Sequence, residues 1–153
     1  MATSGTFMYG MKAVLKGDIN LESGSNVKAT LVTQDVTKAQ LEDESLELIG
    51  DISAWEAAGD KDQVTLTGAV NVDASGDGWT IKLGDGSESL SFGEVDADET
   101  CTGIVVYWNG GSAADKYNLF FCAFDDDVTA DGGTMTVTLN ADGFGKVTAT
   151  GGS

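Results

Sequence analysis

Thr102-Gly103-Ile104-Val105-Val106-Tyr107-Trp108-Asn109, Gly110-Gly111-Ser112-Ala113-Ala114-Asp115-Lys116 and Tyr117-Asn118-Leu119-Phe120-Phe121-Cys122-Ala123-Phe124 follow one another without a break. Two apolar runs flank a polar, glycine-containing loop, the pattern of a β-hairpin with a longer connection. Ile104, Val106 and Trp108 alternate with Val105 and Tyr107. In the second arm Leu119, Phe121 and Ala123 alternate with Phe120, Cys122 and Phe124. Each arm is therefore apolar on both faces. Strands of that kind are covered on both sides, so this hairpin is expected at the centre of the fold.

Around it the chain of 153 residues has a strand-and-turn composition: 21 glycines, many Thr, Val, Asp and Ser, and no proline. The length suits one domain over residues 1–153 with a core that needs no disulfide or metal. The formal charge is −17, histidine is absent, and all eight basic residues are lysine. A polyanion is repelled by such a surface, so nucleic acid is excluded as a partner. An anionic bilayer is excluded on the same ground, and no apolar run reaches the length of a membrane span. Met1-Ala2-Thr3-Ser4-Gly5 lacks a basic segment followed by an apolar core. The expectation is synthesis in the cytoplasm without a secretory leader. Cys101 and Cys122 sit at the outer ends of the hairpin arms, near enough to face each other across the ladder, and read as buried free thiols.

Upstream, Phe7, Met11, Val14 and Leu15 recur at helical spacing before Gly17. Residues 1–17 thus read as a short N-terminal helix or arm. Its apolar groups either pack on their own domain or dock on a neighbour. Phe7, Met8, Tyr9, Met11 and Leu15 are the candidate contacts with a neighbouring subunit. Ile19-Asn20-Leu21 reads as a short strand, and Val27 to Thr33 as a strand with Val27, Ala29 and Leu31 on one face. Thr37 to Leu48 reads as a short exposed helix or irregular excursion, and Asp51 to Trp55 as an alternating strand. Val64 to Val72, Trp79 to Leu83, Ser89 to Phe92, Met135 to Leu139 and Phe144 to Ala149 read as strands. Acidic loops are expected at Glu94 to Glu99 and Asp125 to Gly133, and a tight turn at Asn140-Ala141-Asp142-Gly143. Eight or nine short strands at even spacing over residues 18–150, with a tail at 151–153, predict an all-β fold. The architecture expected is an antiparallel β-sandwich or jelly-roll-like barrel.

Chemistry is sparse. Without histidine the Ser-His and Cys-His nucleophile pairs cannot form. Two cysteines alone cannot complete a zinc site. No phosphate-binding loop or dinucleotide fingerprint occurs. Twenty-five carboxylates make a facing acid pair inevitable, so their number is no argument for a glycosidase. Asn71-Val72-Asp73-Ala74-Ser75-Gly76 resembles the start of a calcium loop, but position twelve is Lys82 where a bidentate acid belongs. The acidic loops read as a solvated rim. Trp55 and Trp79 would be the platform of a sugar site, a role that core packing contests. The chain is expected to be no enzyme and to use no cofactor.

Several segments together resemble a family of small tailed-bacteriophage virion proteins. They are Gly17-Asp18-Ile19-Asn20-Leu21, Val27-Lys28-Ala29-Thr30-Leu31-Val32, the excursion ending at Trp55 to Gly59, and the Thr-Val series Val64 to Val72. The aromatic-bearing strand Ile104 to Trp108, the run Leu119 to Asp127 and the terminal Gly133 to Val147 complete the pattern. The resemblance implies a structural virion component without enzyme activity, such as a capsid decoration or cement protein on the outer surface of the head. Its partners would be the major capsid protein and further copies of itself, as a trimer or dimer. A net charge of −17 favours the outside of a particle over a lumen filled with DNA. A tail, neck or fibre-associated component is the first alternative, and a carbohydrate-binding β-sandwich the second.

Overall fold

The computed structural model describes residues 4–21, 26–59, 64–65, 70–75, 78–83, 89–138 and 145–148. Ten strands lie within them: β1 Gly5–Thr6, β2 Val27–Val32, β3 Val64–Thr65, β4 Val70–Ser75, β5 Gly78–Leu83, β6 Ser89–Glu94, β7 Thr100–Trp108, β8 Asn118–Thr129, β9 Thr134–Thr138 and β10 Gly145–Thr148. Two α-helices, α1 Met8–Lys16 and α2 Lys38–Leu41, and three short 3₁₀ turns accompany them. The protein is mostly β. All pairings are antiparallel, in a sheet ordered β1-β8-β7-β2-β3, a second ordered β10-β5-β4, and the ribbon β6-β9. Among the described residues no sheet closes on itself.

The Thr102–Phe124 hairpin is the middle of the five-stranded sheet, and both of its faces are covered. On one face Ile104, Val106 and Phe120 join Ala29 and Leu31 under Leu90, Phe92 and Val95, with Ala13 and Ile19 alongside. On the other, Val105, Tyr107 and Phe121 join Val32 under Phe7, Val36, Ile49, Ile52 and Trp55. Residues 104–107 and 119–121 are fully buried. Each such side chain contributes about 1.5–3 kcal/mol of transfer free energy. Gly103 is needed for a close approach. A Cβ there would stand 2.8 Å from the Phe121 ring and closer still to the Cys122 carbonyl oxygen.

The second arm departs from simple alternation at two places. Val106 pairs with Phe120 but Tyr107 with Asn118, which leaves Leu119 as an extra residue. Leu119 therefore shares the cluster of Phe120 rather than opposing it. Gly103 pairs with Ala123 and Cys101 with Val128, so Phe124, Asp125, Asp126 and Asp127 all stand opposite the single residue Thr102. The stretch expected as a loop from Asp125 is instead the bulged outer half of β8, which runs on to Thr129. The cysteines are not partners: Cys101 lies opposite Val128 and Cys122 opposite Ile104, and both are free thiols.

Residues 33–58 leave β2, cross the second face of the sheet and return to it. Thr37 caps α2 through a reciprocal pair with Gln40. Asp51 to Trp55 is a 3₁₀ turn spanning Ile49–Trp55, not the strand expected. Ile49, Ile52 and Trp55 recur every three residues, and three residues per turn put them on one line facing the sheet. The ends of the crossing are fixed by Thr33 N–H to the Trp55 carbonyl at 2.7 Å and Ala57 N–H to the Leu31 carbonyl at 3.1 Å. Its middle is held by Asn118. The buried amide of Asn118 donates to the Leu46 and Leu48 carbonyls, each at 2.9 Å.

Other expectations fare unevenly. Ile19 to Leu21 is no strand; Ile19 is a buried plug from a turn. The run expected as one strand from Val64 to Val72 has its ends in different sheets, with residues 66–69 outside the described residues. The Asn140–Gly143 turn also lies outside them. The strands before and after it do not pair with each other: β9 joins β6 and β10 joins β5. Asn71 to Ser75 belongs to strand β4 rather than to a calcium loop.

Replacing Asn118 by Ala removes both clamps on the crossing segment while keeping the strand. The expected result is a loss of about 2–3 kcal/mol in urea unfolding, with faster proteolysis confined to residues 38–56.

Candidate functional site

The N-terminal helix is where the candidate contacts gather. β1 pairs Gly5 with Phe121 and Thr6 with Phe120, and Phe7 N–H donates to the Leu119 carbonyl at 2.9 Å. This pairing fixes the start of α1 against β8. Gly10 then presses on the Asn118 carbonyl, an approach that leaves no room for a Cβ. The helix ends in a Schellman motif: Gly17 is left-handed at φ 83°, its N–H donates to Val14, and Asp18 N–H donates to Ala13 at 3.0 Å. Lys16 in the last turn favours the helix dipole.

These contacts divide the five expected docking residues. Phe7 is 2% exposed and belongs to the chain's own core. It is corrected from a docking contact to an anchor, because β1 pairing carries it inward. Met11 packs against the core with Val14. Tyr9 is half-buried, and the Lys12 ammonium lies 5.3 Å from its ring centroid. Met8 is 50% and Leu15 86% exposed. Leu15 thus leaves the stripe expected for it with positions 7, 11 and 14. Exposed Met8, Lys12 and Leu15 follow one another at i, i+4 and i+7, one outward stripe of the helix.

The acidic segments divide as well. In the turn after β6, Asp98 takes φ 71°, its N–H donates to Ala130, and the Glu99 carboxylate accepts from Ala58 N–H at 3.3 Å. Asp131 accepts from Gly133 N–H at 2.9 Å. The Glu99 carboxylate thus ties this turn to the end of the crossing segment, and Asp131 holds its own turn. Asp125, Asp126 and Asp127 are exposed on the β8 bulge. No three acids or thiols converge on a metal position among the described residues. Trp55 is 8% exposed in the core, so a sugar platform cannot use it, and Trp79 stands in β5 between Ala74 and Val147.

Three groups of the central hairpin titrate above their ordinary range. Desolvation pushes the Cys122 thiol up to about 12, and burial, with Glu56 nearby, raises the Tyr107 phenol. Burial also raises Cys101. A thiol held protonated is a poor nucleophile. The Thr30 and Tyr107 hydroxyls, diagonal neighbours on one face of the sheet, have no hydrogen-bond partner among the described residues.

No protein-family model, curated protein or solved structure matches this chain. No helix among the described residues is long and apolar enough to cross a membrane.

Spacing in the sequence places Leu15 in one stripe with Phe7, Met11 and Val14 and misses the outward stripe of Met8, Lys12 and Leu15, because a lysine stands in its middle. The β8 bulge carried no signal, since three aspartates after a strand look like the start of a loop.

The folded state keeps Cys122 and Tyr107 protonated, whereas the unfolded chain ionises both above about pH 9. Their contribution is complete below that pH and is lost as pH rises toward the folded value of about 12 for Cys122. The urea midpoint is expected to fall steadily from pH 9 to pH 11, and to fall less steeply in Cys122→Ala. An equal slope in the two proteins would contradict this assignment.

Proposed function

We propose that this chain is a non-enzymatic structural protein of a tailed-phage virion, a decoration protein on the outside of the head whose partner is the major capsid protein. The setting rests on the segment-by-segment resemblance. The observation that carries an assembly role is the outward face of α1. Its exposed Met8 and Leu15 stand on a helix that the chain's own sheet holds rigid. Exposed apolar groups on an anchored element suit a contact with another protein. A charge of −17 suits a surface facing solvent. The β6-β9 ribbon packed across one face of the five-stranded sheet fits a sandwich-like head protein. Many weak copies on one shell add up to strong reinforcement. The protein is made in the host cytoplasm and functions on the particle.

The alternatives draw less support. A tail-tube subunit would reach its neighbours with a long loop, and the long excursion among the described residues, 33–58, is spent covering its own sheet. A sugar-binding sandwich would lose Trp55 to the core.

Copy number tests the proposal. Purified particles are digested and this chain is quantified by mass spectrometry against the major capsid protein. Hundreds of copies per particle are expected. A dozen or fewer would move the protein to the neck or tail, and its absence would overturn the virion reading.

A further inference from the structure

Among the residues whose side chains the structure describes, the exposed large apolar groups are Met8, Leu15 and Val128. They fall into two patches of opposite charge. Met8 and Leu15 lie on α1, which carries Lys12 and Lys16 and no carboxylate. Val128 follows Asp125, Asp126 and Asp127 on the β8 bulge, all of them exposed. Each patch thus offers an apolar centre with charges of one sign beside it.

Their placement separates them within one molecule. α1 is seated at the first residue of β8, where Gly10 meets Asn118. Val128 is the last residue but one of the same 12-residue strand. Their partners on β7, Tyr107 opposite Asn118 and Cys101 opposite Val128, are six residues apart, so at about 3.3 Å per residue the two ends lie roughly 20 Å apart along a rigid sheet. One copy cannot bring them together, and two copies can.

We propose that the α1 face of one copy docks on the Asp125–Val128 end of a second copy. The inference rests on the proposed assembly role of α1 and names its occupant. A symmetric contact of α1 on α1 would set Lys12 and Lys16 against their own kind, and the β8 ends would set aspartate against aspartate. The head-to-tail contact pairs opposite charges and covers Met8, Leu15 and Val128 together. It is heterologous, so it closes into a ring or continues as a chain. The overall charge of −17 does not prevent it. Charges beyond about 8–10 Å are screened at physiological salt, whereas opposite charges in direct contact attract strongly enough to decide orientation. Present partners of the lysines yield readily. Lys16 lies 3.8 Å from Asp18 with both side chains more than half exposed, and Lys12 rests over Tyr9. Exposed pairs of this kind are worth little.

A charge swap tests the contact. One variant carries Lys12→Glu and Lys16→Glu, and a second carries Asp125→Lys and Asp127→Lys. All four positions are exposed, and circular dichroism verifies that each variant folds. Sedimentation velocity is expected to show the natural protein as an oligomer and each variant alone as a monomer. An equimolar mixture should regain the oligomer, because each altered patch then meets its complement. Leu15→Glu should weaken the natural oligomer at least tenfold. A natural protein that stays monomeric, variants that stay oligomeric, or a mixture that stays monomeric would each overturn the proposal. Such a failure is separable from failure of the virion reading, which copy number per particle decides independently.

Discussion

The burial of the β7-β8 hairpin on both faces is the constraint from which the other features follow. An antiparallel sheet can leave one face wet. This one cannot, because Val105, Tyr107 and Phe121 on one side are as apolar as Ile104, Val106 and Phe120 on the other. Two covers are therefore required, and the chain builds them from different material. One is a ribbon of strands with α1 beside it. The other is an irregular crossing of 3₁₀ turns that delivers Ile49, Ile52 and Trp55.

That requirement also explains where the polar groups lie. Covering a sheet with irregular backbone leaves carbonyls that no strand ladder can satisfy. Asn118 answers this by spending both amide hydrogens on Leu46 and Leu48 from inside the core. The same cover buries the Thr30 and Tyr107 hydroxyls without partners among the described residues. Outside the covers the chain is acidic. The β8 edge beyond Ala123 carries three aspartates and a bulge, two devices that discourage edge-to-edge strand pairing. Assembly through open edges is thereby disfavoured, and the face of α1 is left as the surface best suited to a specific contact.

Much of this was readable in the residues. Two-sided apolarity of Ile104 to Tyr107 required a central strand, and Gly17 required a helix stop. The β2 face through Val27, Ala29 and Leu31 followed from a period of two. What escaped reading has physical causes. Asp51 to Trp55 contains enough alternation to imitate a strand, and the period of three appears only when Ile49 is included. Leu119 reversed its side because a bulge adds one residue, and no local pattern announces a bulge. The Asn-Ala-Asp-Gly segment suggested a hairpin, but strand partners are chosen by long-range burial, and β9 and β10 went to different sheets. For the candidate site, helical spacing found the helix but grouped Leu15 with Phe7, Met11 and Val14, and only the pairing of β1 with β8 shows that Phe7 turns inward and Leu15 outward.

Two-sided burial makes the β7-β8 hairpin the most stable unit of the fold. Native-state hydrogen exchange reads this directly, since core amides open only with the whole molecule. Ile104 to Tyr107 and Phe120 to Phe121 are expected to exchange slowest, at the rate set by global unfolding. The crossing at residues 38–56 should exchange sooner. Hairpin amides that exchange as fast as those of the crossing would contradict it.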